Sequence, residues 1–319
     1  MYVTLIAVAA LWGAATGLLV PRAAYRLSVE PEERWRGECP EGHALMGPAR
    51  GWLGGTKCRV CAVAVPVRRP VPAEVTAGAK SGAHRTAEVP AGTGRSTADD
   101  TTGHDAIGQD TTGDDATGNG VADAGVHPAP APAPVRVPLR TTPAIPLVTA
   151  LACALLAAAT GFRPELAVWL LCAPFAVLLA TVDLRVHRLP DHLTLPLAVA
   201  APMLLGVAAL VPAAAGSFPH ALLGGLVLGA AYFLLFVINP NGMGFGDVKL
   251  ALSLGVLLGW YGWGILFIGA FAGFLFGGAY GFGLVLLRRA NRKSAIPFGP
   301  FMIGGALLGV VFGALSATA

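Results

Sequence analysis

The chain has 319 residues, 55% of them hydrophobic and only 13% charged, a balance too apolar for a soluble domain of that length. Its formal net charge of +4 comes without a basic stripe interleaved with aromatics, so nothing points to nucleic acid as a partner. Long uncharged runs predict an all-α fold instead: a polytopic membrane bundle of about eight transmembrane helices in a lipid bilayer.

In chain order the spans fall at about 2–20, 143–160, 165–182, 193–212, 219–238, 248–261, 262–287 and 297–316. Only the aromatic cluster Trp260, Tyr261 and Trp263 marks the turn between the sixth and seventh, as an interfacial belt does. The first run has no basic stretch before it, and Arg22 and Arg26 follow it, so it reads as an uncleaved anchor. Arg22, Arg26, Arg136, Arg140, Arg185, Arg188, Lys249, Arg288, Arg289, Arg292 and Lys293 all fall in the loops after spans 1, 3, 5 and 7, and the opposite loops carry only Arg163. That asymmetry predicts a multi-pass protein of the cell membrane with its N terminus outside and those four loops cytoplasmic.

Four regions follow. Residues 1–20 are a transmembrane anchor, 21–65 a cytoplasmic Cys/His segment, 66–140 a low-complexity linker and 141–319 a seven-helix membrane domain. The linker, with its repeated DTTG and its PAPAPAP run, cannot bury a core and is expected to be disordered. Within the Cys/His segment, Cys39, His43, Cys58 and Cys61 are spaced C-x3-H, fourteen residues, C-x2-C. Structural disulfides seldom persist in the cytosol, so three thiolates and an imidazole predict structural Zn(II) in a small zinc-ribbon-like unit. Such a segment folds around a metal more readily than alone. Cys153 and Cys172 lie inside spans and read as packing residues.

From residue 141 onward the only acids are Glu165, Asp183, Asp191 and Asp247, and an ionisable group in or beside a span needs a reason. Glu165, beside Pro164, reads as a solvated loop charge or helix cap. Asp183 closes the third span in "VDLRVHRLPDHLTLP", and Asp247 opens the sixth after "GMGFG", which brings both to the same membrane face. Two carboxyls sharing one site do not both ionise easily, and such a dyad can activate water against a peptide bond. Gly242, Gly244 and Gly246 would let an extended peptide lie against bare backbone and would permit unusual φ values. Asp191 stands at a cap position before the fourth span, or supports the site. Lys249 either snorkels to the interface or tunes the dyad. The sixth span is short for a bilayer, which would leave Asp247 below the headgroups in a water-reaching funnel. The alternative reading is an ion-coupled transporter using the same two aspartates as a proton relay.

The stretches "VDLRVHRLPDHLTLP" at 182–196, "GMGFGDVKL" at 242–250 and "IPFGPF" at 296–301, with the cysteine-containing loop after the first span, resemble the type IV prepilin peptidases, the prepilin leader peptidase/N-methyltransferase family of GxGD aspartic proteases. The resemblance implies a membrane aspartic endopeptidase that cuts type IV prepilin or pseudopilin precursors at the cytoplasmic face, next to the start of their hydrophobic helix. It makes Asp183 and Asp247 the catalytic pair. It also implies, in many members, methylation of the new N terminus from S-adenosylmethionine, associated with the N-terminal cytoplasmic region. Where the family carries two CxxC pairs, this chain keeps Cys39 alone of the first, with His43 following as a substitute ligand.

Overall fold

The computed structural model describes residues 1–29, 33–52, 58, 60–61, 143–240, 242–287 and 297–317. The low-complexity linker at 66–140 lies outside them, as do Arg288, Arg289, Arg292, Lys293 and Ile296. Among the described residues the fold is all-α, with a single isolated β-bridge between Glu38 and Ala44. The helices are α1 (Tyr2–Gly17), α2 (Val20–Leu27), α3 (Ala144–Thr160), α4 (Glu165–Val186), α5 (Asp191–Ala208), α6 (Phe218–Ile238), α7 (Phe245–Gly259), α8 (Trp263–Leu286) and α9 (Gly299–Ser316). A single turn at Pro48–Gly51, with Ala49 and Arg50 in the left-handed region, sits in the Cys/His segment.

Each predicted span is a helix, but not all are long enough to cross. Six apolar stretches among the described residues have the length and composition of membrane spans: Tyr2–Leu27, taking α1 and α2 together, and α4, α5, α6, α8 and α9. Helix α3 has 17 residues and α7 only 15. The breaks follow local chemistry. Gly161 ends α3 at φ 67°, His187 ends α4 in the left-handed region at φ 52°, and Gly262 separates α7 from α8 at φ 101°. The aromatic turn expected around Trp260 is therefore real, with glycine supplying the positive φ.

Lipid-side residues such as Phe271, Phe282 and Leu226 are exposed, whereas α7 is enclosed, with 11 of its 15 residues buried. Enclosure rests on glycine. A Cβ on Gly224 would stand 2.6 Å from the Gly255 carbonyl oxygen, and one on Gly259 2.5 Å from that of His220, so α6 and α7 meet backbone to backbone. The Gly305, Gly269 and Gly273 backbones bring α8 and α9 together the same way. With no hydrophobic gain between helices in lipid, such close packing is what holds them. Between α3, α4 and α9 an apolar cavity of 390 Å³ opens toward the lipid side at Val148 and Leu184.

Glu165 departs from its expected solvated role. It is fully buried at the end of the bundle that carries the aromatic turn. Its Oε1 accepts one long bond, 3.4 Å, from the Ala215 N–H. The connection from α3 folds inward because Arg163 donates to the Ala314 carbonyl at 3.2 Å, and Trp169 and Tyr261 close over it with ring centroids 6.0 Å apart. Cys153 and Cys172 are buried packing residues, as expected.

Candidate active site and metal centre

Asp183 lies in the last turn of α4 with 4% of its surface exposed, and Asp247 in the first turn of α7 with 7%. The Gly299 N–H, at the start of α9, donates to Asp183 Oδ2 at 2.9 Å. A helix N-terminus is a favourable place for a carboxylate. A Cβ there would stand 2.8 Å from that same oxygen, so any side chain at 299 would displace the carboxylate. Asp247 donates its own N–H to the Gly244 carbonyl at 3.0 Å, closing the turn that starts α7. The end of α4 and the starts of α7 and α9 thus meet at one end of the bundle, and Asp247 is within electrostatic reach of Asp183. The two acids that sequence pairs lie at the same end of the bundle.

Tyr232 of α6 joins them and was not anticipated. It is 2% exposed, stacks on Phe274 at 5.5 Å, and lies within electrostatic reach of Asp247. A tyrosine in an apolar run carries no periodic signal that would single it out. Gly299 falls inside the quoted IPFGPF stretch, but its role depends on a contact 116 residues away.

The glycines before Asp247 do not supply the unusual φ values expected of them. None of Gly242, Gly244 and Gly246 has a positive φ. Gly244 is the extended N-cap of α7, and no side chain caps that helix. Gly246 is needed for approach, because its Cβ would come to 2.9 Å from Leu189 Cβ. A Cβ on Gly244 would meet Asp247 Oδ2 only at 3.7 Å, ordinary contact, so that position is open.

Asp191 does not cap α5. It is the first residue of the helix, after Pro190, and makes no side-chain cap bond. Its Oδ1 instead accepts from Lys249 Nζ at 2.6 Å. Lys249 therefore neither snorkels freely nor touches Asp247; its ammonium also sits 4.8 Å from the Phe245 ring centre.

The metal ligands converge as the spacing requires. One ligand atom from each of Cys39, His43, Cys58 and Cys61 lies within 4.8 Å of all the others. Cys39 Sγ is 3.7 Å from Cys61 Sγ and 3.5 Å from His43 Nδ1, and His43 Nδ1 is 3.2 Å from Cys61 Sγ. A tetrahedral ion with thiolate and imidazole ligands separates those atoms by roughly 3.5–3.8 Å, so this set fits a divalent metal. A tight turn positions the first half, with the Cys39 N–H donating to the His43 carbonyl at 2.8 Å and Gly42 at φ 81°. The sulfurs influence one another. Cys58 is held below its ordinary pKa, chiefly by a backbone hydrogen bond at Cys61, while Cys61 is pushed up to about 12 by burial and by the Cys39 and Cys58 sulfurs. A cation among them would relieve that competition. Helix α2 holds the segment: Arg22 donates to the Met46 carbonyl at 2.8 Å, Arg26 to that of Arg50 at 3.2 Å, and Tyr25 to that of Glu38 at 3.0 Å.

Fold and site together define a class: a helical, multi-pass membrane protein with two buried aspartates at one end of its bundle and a Cys3His cluster on its N-terminal segment. Residues 170–282, which include both aspartates, match the family model described as Type IV leader peptidase family. The chain is similar to the prepilin leader peptidase/N-methyltransferase of Aeromonas salmonicida, 36% identical over 141 residues, 43% of this chain and 46% of the relative. It is also similar to the protein of that name from Pseudomonas aeruginosa, 31% identical over 176 residues, 54% of this chain and 58% of the relative. The match thus spans about half the length of the curated relatives. No solved structure matches the chain. The matched residues include the motifs at 182–196 and 242–250.

Proposed function

We propose that the protein is a membrane aspartic endopeptidase that removes the leader peptide from type IV prepilin or pseudopilin precursors. The observation that carries this reading is the placement of two buried aspartates, Asp183 and Asp247, on helix ends that the Leu189–Gly246 contact joins at one end of the bundle. By the positive-inside asymmetry that end faces the cytoplasm, and the N terminus lies outside. The ionised carboxyl takes a proton from water as its oxygen attacks the scissile carbonyl carbon, and the protonated carboxyl donates to the carbonyl oxygen. Collapse of the tetrahedral intermediate then breaks the C–N bond, and the amine leaves with a proton from the dyad. The open backbone at Gly244 offers the approaching peptide an edge free of side chains beside Asp247. Placement of both acids at helix ends rather than in mid-helix favours hydrolysis over a proton relay through the bilayer.

The test is cleavage of a prepilin-like precursor by the purified protein in lipid vesicles, with the products weighed by mass spectrometry. A single cut just before the hydrophobic segment is expected; an intact precursor would sink the proposal. N-methyltransferase is the second activity in the relatives' names, and S-adenosylmethionine is the methyl donor we propose for it. The shared stretch 170–282 leaves out the Cys/His segment, so this half is tested separately, by asking whether S-adenosylmethionine adds one methyl group to the cleaved product.

The metal centre is assigned as structural Zn(II) held by Cys39, His43, Cys58 and Cys61. Purified protein should carry about one zinc per chain, and Cys58→Ser should lose most of it, because three ligands bind far more weakly than four. Metal analysis decides this, and a zinc-free wild type would refute it.

Packing at Gly299 supplies a further expectation. Gly299→Ala puts a methyl group 2.8 Å from Asp183 Oδ2 and should reduce the cleavage rate by on the order of 100-fold, the effect of about an ångström of misplacement at a reacting group. The fold should survive, since α9 keeps its backbone. Wild-type turnover by that variant would mean that Asp183 is not held at the reacting position.

A further inference from the structure

The two acid-bearing segments are joined by one charged contact that the cleavage chemistry does not use. His187, which ends Asp183's helix, donates its N–H to the Asp183 carbonyl at 2.8 Å. Two residues on, Leu189 is buried and rests against Gly246 of α7. Two residues further, Asp191 meets Lys249, itself two residues past Asp247. The segment 187–191 is thus fastened to Asp183 at one end and to the first turn of α7 at the other.

The two fastenings on α7 differ in kind. Leu189 on Gly246 is a steric fit. The ion pair is accessible on one side: the Asp191 side chain is 58% exposed, while Lys249, at 16%, is sunk beside the Phe245 ring. It is also the one ion pair among the described residues. A partly exposed pair adds little to global stability, yet this one bridges the elements that carry the two acids, where small displacements are costly to rate.

Resting on the peptidase reading of Asp183 and Asp247, we propose that the Lys249–Asp191 ion pair is a latch that holds segment 187–191 on α7 and so sets the separation of the two catalytic carboxyls. Lys249 and Asp191 are positioning residues: neither touches the reacting atoms, and their influence runs through Leu189 and the turn of α7. A role confined to the N-terminus of α5 would make Lys249 dispensable; the latch makes the two residues equivalent.

A double-mutant cycle in the full-length protein, in vesicles with a prepilin-like precursor, tests this. Asp191→Asn and Lys249→Met should each lower kcat about tenfold with KM unchanged, and the double variant should also lose about tenfold rather than a hundredfold, because both remove one interaction. Lys249→Arg, which keeps the pair, should stay close to wild type, and thermal unfolding should hardly move in any of them. Losses that multiply, that appear in KM, or that track the unfolding temperature would overturn the latch. An activity-independent arm places a single cysteine by Leu189→Cys. Its reaction with a water-soluble maleimide should quicken about tenfold when Lys249→Met is added, as a closed segment is released. Equal rates would overturn the latch whether or not the protein cleaves anything. Wild-type cleavage by Asp191→Asn and Lys249→Met beside an inactive Asp183→Asn would remove the latch and leave the peptidase standing. Cleavage by Asp183→Asn would remove the peptidase reading instead.

Discussion

Asp183→Asn and Asp247→Asn should each lower precursor cleavage by at least about 1000-fold, some 4 kcal/mol of transition-state stabilisation. An amide neither accepts a proton from water nor passes one to a carbonyl oxygen, so either change removes half of the proton traffic. Shape is preserved. The amide oxygen at 183 can still accept the Gly299 N–H that now holds Asp183 at 2.9 Å, and the turn at 247 is closed by backbone, Asp247 N–H to Gly244 carbonyl. Unfolding temperatures should therefore stay at or slightly above the wild-type value, since each variant takes a charge from a site buried to more than nine-tenths. The assay is precursor cleavage in vesicles alongside thermal unfolding in the same lipid. Undiminished cleavage by either variant would end the dyad mechanism, whereas a collapsed unfolding temperature would show that the acids hold the bundle together.

The second large effect falls on the fold. Gly255→Leu should cost more than about 3 kcal/mol of stability, beyond the usual 1–3 kcal/mol of an overpacked core position. A Cβ at Gly255 would lie 2.5 Å from the Gly224 carbonyl oxygen and 2.9 Å from Gly225 Cα. Both are backbone atoms, which no rotamer change can move away. Helices α6 and α7 would have to separate along most of their length, which would open the enclosure that buries 11 of the 15 residues of α7. Gly264→Ala is the control: a Cβ there meets nothing within 4 Å, so the change should be neutral or mildly stabilising. Thermal unfolding of both variants gives the comparison, and similar values would mean that the glycine seam does not hold α7.

Elements that announce themselves by composition were legible in the sequence. Eight apolar runs became helices because a long uncharged segment has few other options in lipid, and the breaks fell at Gly161, Gly262 and the Pro190 region, where the backbone demands them. Asp183 and Asp247 were legible because acids are rare in such runs, and the four metal ligands because their spacing is short-range. What escaped was whatever depends on the third dimension. Glu165 borders a loop in sequence and looks solvated, yet Arg163 and the aromatic turn fold over it. Gly246 was expected to give φ freedom, but it gives room for Leu189, a neighbour 57 positions away whose approach no local pattern encodes. Asp191 reads as a cap by its position after a proline, and its carboxylate has instead been taken by a lysine from another helix.

The brevity of α7 carries a consequence for the membrane. Fifteen residues rise about 22 Å, against a hydrocarbon core of roughly 30 Å, while its partner α6 has 21 residues and is welded to it through glycine. The shortfall falls inside the bundle, because 11 of the 15 residues of α7 are buried by its neighbours, so the bilayer need not match this helix and its ends are bordered by protein rather than by acyl chains.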